Sequence, residues 1–151
     1  IWLMRNGNYR FTYPRPFRSA RLDSVSKFAK LGLFSMTFSR NVDFDLSMLY
    51  DSFTYTVLIT LENLGFCKPG EGPDFIKSKI LGPGGNFPLN TNGGGLSYTH
   101  PGMYGIFTVV EAARQMRNQA RDRQLKKCNL ALVHGTGGLL SSTGTVILGK
   151  N

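Results

Sequence analysis

The sequence predicts an α/β layered domain, on three observations. A segment near residue 42 alternates apolar and polar residues, as a strand does. Two later segments carry apolar residues at helical spacing, and two short apolar runs near the end read as further strands. The order strand, helix, long loop, helix, strand, strand is that of helices packed on a sheet.

The first strand is predicted over Val42-Asp-Phe44-Asp-Leu46-Ser-Met48-Leu-Tyr50, with Asp51 or Ser52 placed to cap a following helix. Phe53, Val57, Leu58, Leu61 and Leu64 share one face of that helix, and Gly65 stands where a left-handed residue closes it. From Cys67 to Gly95 glycine and proline recur, so a loop with short extended pieces near Phe87-Pro88-Leu89 is expected. The second helix is expected to start at Pro101, whose missing N–H is harmless in a first turn. Its buried face should be Met103, Ile106, Val109, Val110, Ala113 and Met116. Residues 117–127 form a charged connector. The runs Asn129–Val133 and Thr143–Leu148 are the closing strands.

Residues 1–40 differ in texture from the rest and form a separate basic N-terminal segment, with the domain proper at 41–151. Leu22, Val25, Phe28, Ala29 and Leu33 suggest one helix there, over 20–34. The net charge of +9 is concentrated in the same segment, which holds eight Lys/Arg against Asp23 alone. The remaining residues hold ten basic and eight acidic side chains, a near balance that argues against nucleic acid as the partner. A hydrophobic content of 41% fits a globular chain, and no run approaches a membrane span. Cys67 and Cys128 form no metal-binding pattern, so no metal is expected. Two lone cysteines and no visible secretory signal fit an intracellular setting, with a single disulfide left open. The chain starts at Ile1 rather than Met, which reads as a piece of a longer protein.

The two histidines both sit in glycine-rich turns, Asn92-Gly93-Gly94-Gly95-Leu-Ser-Tyr98-Thr99-His100-Pro101-Gly102 and Val133-His134-Gly135-Thr136-Gly137-Gly138. An imidazole titrates near neutrality and moves protons, and glycine admits a ligand close to the backbone. Each residue also has a plainer reading, as a satisfied turn histidine or a tight-turn glycine.

A succession of motifs runs Tyr50-Asp51-Ser52-Phe53, Leu61-Glu-Asn-Leu-Gly-Phe-Cys67, Gly70-Glu-Gly72, Asn90-Thr-Asn-Gly-Gly-Gly95, His100-Pro-Gly102 and His134-Gly-Thr-Gly-Gly138. It resembles the C-terminal half of the thiolase superfamily. Within the superfamily it is most similar to the sterol-carrier-protein thiolase branch and its lipid-transfer-protein-like members, which include steroid side-chain aldolases. The resemblance covers residues 40–149. It implies one half of a layered fold, a mixed sheet with packed helices. It also implies acyl-CoA thioesters as substrates, no other cofactor, and carbon–carbon bond chemistry beside the thioester, by acyl transfer or retro-aldol cleavage. The alternative is a non-catalytic acyl-CoA or lipid-binding member of the same fold. The resemblance further implies a complementing N-terminal half, which carries the usual nucleophilic cysteine, homo- or hetero-oligomers, and small partners with an OB fold and a zinc ribbon.

Residue by residue, His100 takes the place of the family's Gly-His-Pro histidine, an oxyanion-hole donor, with Thr99 where the family has glycine. Tyr50 stands where relatives carry histidine or asparagine, as an acid/base candidate, and Tyr98 is a second candidate donor. His134 replaces the catalytic cysteine of Cys-x-Gly, and Ser52 replaces the cysteine of His-Asp-Cys-Phe. Ser52, Gly93, Gly94, Gly95, Gly137 and Gly138 are expected along the substrate. With both cysteine positions changed, ordinary thiolysis fits less well than retro-aldol cleavage or lipid handling.

Overall fold

A computed structural model describes residues 2–5, 8–11, 44–137 and 142–150. Its centre is a mixed sheet. Strand β3 (Leu46–Leu49) pairs in parallel with β4 (Leu130–Gly137), placing Leu46 opposite Ala131 and Leu49 opposite His134. β4 then pairs antiparallel with β5 (Ser142–Gly149) as a hairpin. On its other edge β3 meets the expected extended piece: the Ser47 N–H donates to the Pro88 carbonyl at 2.9 Å, and the Asn90 N–H to the Ser47 carbonyl at 3.0 Å. Near the start, β1 (Trp2–Arg5) and β2 (Asn8–Phe11) form a two-stranded antiparallel hairpin of their own. The helix expected over 20–34 lies outside the described residues.

Both faces of the sheet are covered, which explains a departure from the expected strand. The alternation over 42–50 suggested one wet face, yet all four residues of β3 are buried, Ser47 included. Leu46 and Met48 pack with Ala131, Val133 and Ala112 of helix α3 (Gly105–Met116). Leu49 and Leu132 point the other way, onto Leu61 of helix α1 (Thr54–Asn63) and Leu64 just beyond it. The short helix α2 (Gly72–Lys77), inside the stretch read as loop, adds Phe75 to that second face. There Phe75 and Phe66 each meet the Phe87 ring edge-on, with centroids 5.2 and 5.1 Å apart. Buried on both sides, β3 behaves as a strand of a parallel α/β sheet.

Helix α1 ends as the sequence indicates. Gly65 adopts φ 82°, and the N–H groups of Gly65 and Phe66 reach back to the carbonyls of Glu62 and Leu61, both at 3.0 Å. Its start differs: Phe53 is the N-cap residue, without a side-chain hydrogen bond, and neither Asp51 nor Ser52 caps it. Ser52 instead pairs its hydroxyl with that of Thr56, at 3.1 Å.

Helix α3 begins at Gly105 rather than Pro101, after a turn in which the Tyr104 N–H bonds the Pro101 carbonyl at 3.1 Å. Its buried side is also rotated from expectation. Thr108, Glu111, Ala112 and Gln115 are buried, while Met103, Ile106, Phe107 and Val110 are exposed, Met103 by 82%. The polar side is buried because it carries its own hydrogen-bond network, and of the expected apolar face Val109 and Met116 pack against the core while Met103, Ile106 and Val110 face outward. The charged connector that follows contains a single 3-10 turn, Arg121–Arg123. Cys67 and Cys128 are unpaired thiols.

Candidate active site

Tyr50 follows the last residue of β3, at the carboxyl end of two parallel strands, where open α/β sheets place their ligands. Its ring is buried and stands edge-on to two others: His100, with centroids 6.2 Å apart, and Tyr104, at 5.3 Å. His100 is exposed on the far side of this cluster. The structure thus brings together two of the four expected catalytic side chains. Tyr98, 58% exposed, lies within electrostatic reach of Tyr104.

Tyr104 is a member of the cluster that sequence reasoning missed. It is 2% exposed, and its hydroxyl is the one buried side-chain polar atom among the described residues without a hydrogen bond. The Asn92 side chain faces that hydroxyl without completing a bond. Burial first, and then the nearby Asp51 carboxylate, push this phenol far above its ordinary range, so it stays protonated. The available signal was its place four residues after His100, off the apolar stripe of the helix.

The loop carrying His100 is held from below by three anchors. The Asn90 side chain both accepts from the Leu49 N–H, at 2.8 Å, and donates to the Leu49 carbonyl, at 2.9 Å. Asp51 accepts from the N–H groups of Gly95, at 2.8 Å, and Leu96, at 3.2 Å. The glycine run fits that carboxylate: Gly94 has φ 73°, and a Cβ on it would overlap Asp51. Gly93 has φ 93°, and a Cβ there would run into Ser97. The conformations of Gly93 and Gly94, with Gly95 against Tyr104, therefore answer to the loop's own packing. Thr91 makes the third anchor, donating to Glu111 of α3 at 3.0 Å.

Glu111 is the hub of that network. It is 2% exposed and also accepts from Gln115, at 3.1 Å, and twice from Arg123, at 2.9 Å each. Burial alone would raise this carboxyl, but the hydrogen bonds from Arg123, Gln115 and Thr91 outweigh it and hold the group ionised below its ordinary range.

His134 is placed differently from the other candidates. Its carbonyl accepts the Tyr50 N–H at 2.9 Å, so the backbones touch. Its side chain, by the alternation along β4, shares the face of Leu132, opposite Val133 and α3. There its Nδ1 lies 2.8 Å from the Thr145 hydroxyl. Burial pushes the imidazole down to about 4, so it is neutral at physiological pH. The shift carries a stability prediction. The unfolded chain takes up this proton near pH 6.5 and the folded chain only near 4. His134 should therefore contribute fully above pH 6.5 and remove up to about 3 kcal/mol as pH falls to 4. Melting temperatures across that window check it: His134→Gln should flatten the slope, and an unchanged slope would dismiss the effect.

Gly137 ends β4, where a Cβ would press on the Ser142 hydroxyl, and Gly138 lies outside the described residues. No group of three or more His, Cys, Asp or Glu among the described residues could hold a metal, and no helix among them is long and apolar enough to cross a membrane.

The chain as a whole resembles known proteins. The family model described as thiolase C-terminal domain-like matches residues 30–150. The chain belongs to the thiolase C-terminal domain-like family. It is 36% identical over 128 residues to 17-hydroxy-3-oxo-4-pregnene-20-carboxyl-CoA lyase of Mycobacterium tuberculosis, covering 83% of this chain and 32% of that protein. It is 42% identical over 109 residues to a steroid side-chain-cleaving aldolase of Thermomonospora curvata, covering 72% of this chain and 27% of the aldolase. The solved structure of an Ltp2-ChsH2(DUF35) aldolase superposes with TM-score 0.60 at 34% identity, covering 81% of this chain and 31% of that one. This thiolase C-terminal-like chain therefore spans about a third or less of the length of the relatives it matches.

Proposed function

We propose that this chain supplies the C-terminal part of an active site that breaks, or makes, a carbon–carbon bond in an acyl-CoA thioester. The observation that carries the reading is the contact between Tyr50 and His100 at the carboxyl end of β3, on a loop fixed by Asp51 and Asn90. Relatives named as a carboxyl-CoA lyase and a side-chain-cleaving aldolase support the retro-aldol direction.

In that direction, a β-hydroxyacyl thioester loses the proton of its hydroxyl as the bond between its α and β carbons breaks. The β carbon leaves as a carbonyl compound, and the electron pair moves into the thioester as an enolate. His100 donates a hydrogen bond to the enolate oxygen. A phenol, Tyr50 or Tyr98, gives its proton to the α carbon, and the proton lost by the hydroxyl, passed on through solvent, restores the phenol. The roles expected for His134 divide from these: a buried neutral imidazole bonded to Thr145 is here a support for the strand end that positions Tyr50.

The partner in this reading is the N-terminal half of the same enzyme or a chain that replaces it, seated on the outward stripe Met103, Ile106, Phe107 and Val110. An exposed apolar patch over the start of one helix and the turn before it is the kind of surface an obligate partner covers. The unpaired thiols suit an intracellular setting. The test is to purify the chain with whatever chain completes it and supply a β-hydroxyacyl-CoA and a 3-oxoacyl-CoA. Release of a carbonyl compound and a shortened acyl-CoA from the first supports the proposal. Calorimetric binding of both without turnover would replace it with the lipid-binding alternative.

A further inference from the structure

A cleft of about 290 Å3 lies between the start of α3 and the β4–β5 hairpin. Val109, Val133 and Val146 form its apolar walls, and glycines 105, 135, 137 and 144 line the rest with a few hydroxyl residues. Its size is at the small end of ligand sites, roughly 300–1,000 Å3.

Two of these glycines are not required by any contact among the described residues. Gly135 and Gly144 face one another across the hairpin register. Neither has a left-handed backbone. Among the described residues a Cβ on Gly144 would meet nothing within 4 Å, and one on Gly135 would make only an ordinary contact with the Gly105 Cα at 3.9 Å. Glycine weakens a strand interior and there often marks a site that another molecule approaches closely. Here the pair leaves a floor of bare backbone. Gly105 connects this floor to the candidate active site, since a Cβ on it would stand 4.0 Å from the Tyr50 ring.

We infer that the cleft receives the apolar acyl chain of the thioester, which runs from Tyr50 past Gly105 and over the Gly135–Gly144 pair. The inference rests on the acyl-CoA reading above. The lining is mostly valine and glycine, with only Thr108, Ser142 and Thr143 offering hydroxyls, which suits hydrocarbon better than the amide-rich pantetheine arm.

Gly144→Val tests it, because the new side chain enters open space in a strand and should leave folding intact. Calorimetry on the chain, in the assembly in which it purifies, would compare acetyl-CoA, octanoyl-CoA and free CoA. The native chain should prefer octanoyl-CoA to acetyl-CoA. The variant should lose roughly tenfold or more in octanoyl-CoA affinity, the worth of about two methylenes kept out of an apolar site, and stay within twofold for acetyl-CoA. Its melting temperature should hold or rise. If valine disrupts the hairpin, Gly135→Ala, a smaller plug from the facing strand, should show a smaller loss of the same selectivity. Equal losses for all three compounds would put the pantetheine arm in the cleft and overturn the inference, as would an unchanged octanoyl-CoA affinity. Native binding of all three without preference for the longer chain would sink this inference alone. Native binding of none would sink the acyl-CoA reading and this inference with it.

Discussion

Replacing His100 with alanine is expected to lower turnover of the completed assembly by roughly 10²–10³, with little change in affinity for the thioester. The figure is that of losing one donor to an oxygen that gains charge only as the bond breaks. Such a donor acts on the transition state more than on the bound substrate. The structure supports a clean comparison. His100 is exposed and meets the buried cluster at the Tyr50 ring, with centroids 6.2 Å apart. The loop beneath it is fixed by Asn90, Thr91 and Asp51, none of which the substitution touches. A companion Tyr50→Phe keeps the ring against Tyr104 and removes only the phenol, and so separates loss of a proton donor from loss of packing. Turnover of His100→Ala within a factor of two of the native assembly would remove the histidine from the mechanism.

Arg123→Ala is expected to destabilise the fold by about 3 kcal/mol. Removing one partner of a buried ion pair costs roughly 3–5 kcal/mol, because the remaining charge is stranded. The lower figure applies because 33% of the Arg123 side chain faces solvent while only 2% of Glu111 does. For a domain of this size the loss corresponds to a fall of roughly 6–12 °C in melting temperature. Since Glu111 also holds Thr91, the variant should loosen the loop that carries His100 and lower turnover as well. A paired change, Arg123→Met with Glu111→Gln, leaves no buried charge and should recover much of the stability. A melting temperature within about 2 °C of native for Arg123→Ala would mean that the pair contributes little.

Much of this was legible in the sequence. Gly65 marked the end of α1, and the Phe87-Pro88-Leu89 piece and the two closing strands fell near where they were expected, because turn glycine and apolar runs are local signals. The histidine loop was legible as a motif, and Tyr50 beside it. The departures share one cause. Met103, Ile106 and Val110 looked like core because apolar spacing says only that a stripe wants covering, not by what. Glu111 and Gln115 fell outside the expected buried face, because a polar network that satisfies itself is built from residues as far apart as Thr91 and Arg123. Asp51 or Ser52 was expected to cap the neighbouring helix, whereas the partners of Asp51 lie more than forty residues away. His134 stood in a motif that suggested chemistry, and only the pleat of β4 shows which face its ring takes.

The parallel pairing of β3 with β4 has a consequence for how the protein is made. Between the two strands lie α1, α2, the histidine loop and α3, so the whole candidate site is contained in one long crossover. Such non-local pairing is slow, since the ends must meet before any contact rewards the closure. On a ribosome β3 would wait, apolar and unpaired on that edge, until the segment near residue 130 had left the exit tunnel. A gene that stopped short of that point would encode every residue of the Tyr50–His100 cluster and yet build no site, and its product would be a substrate for chaperones and proteases.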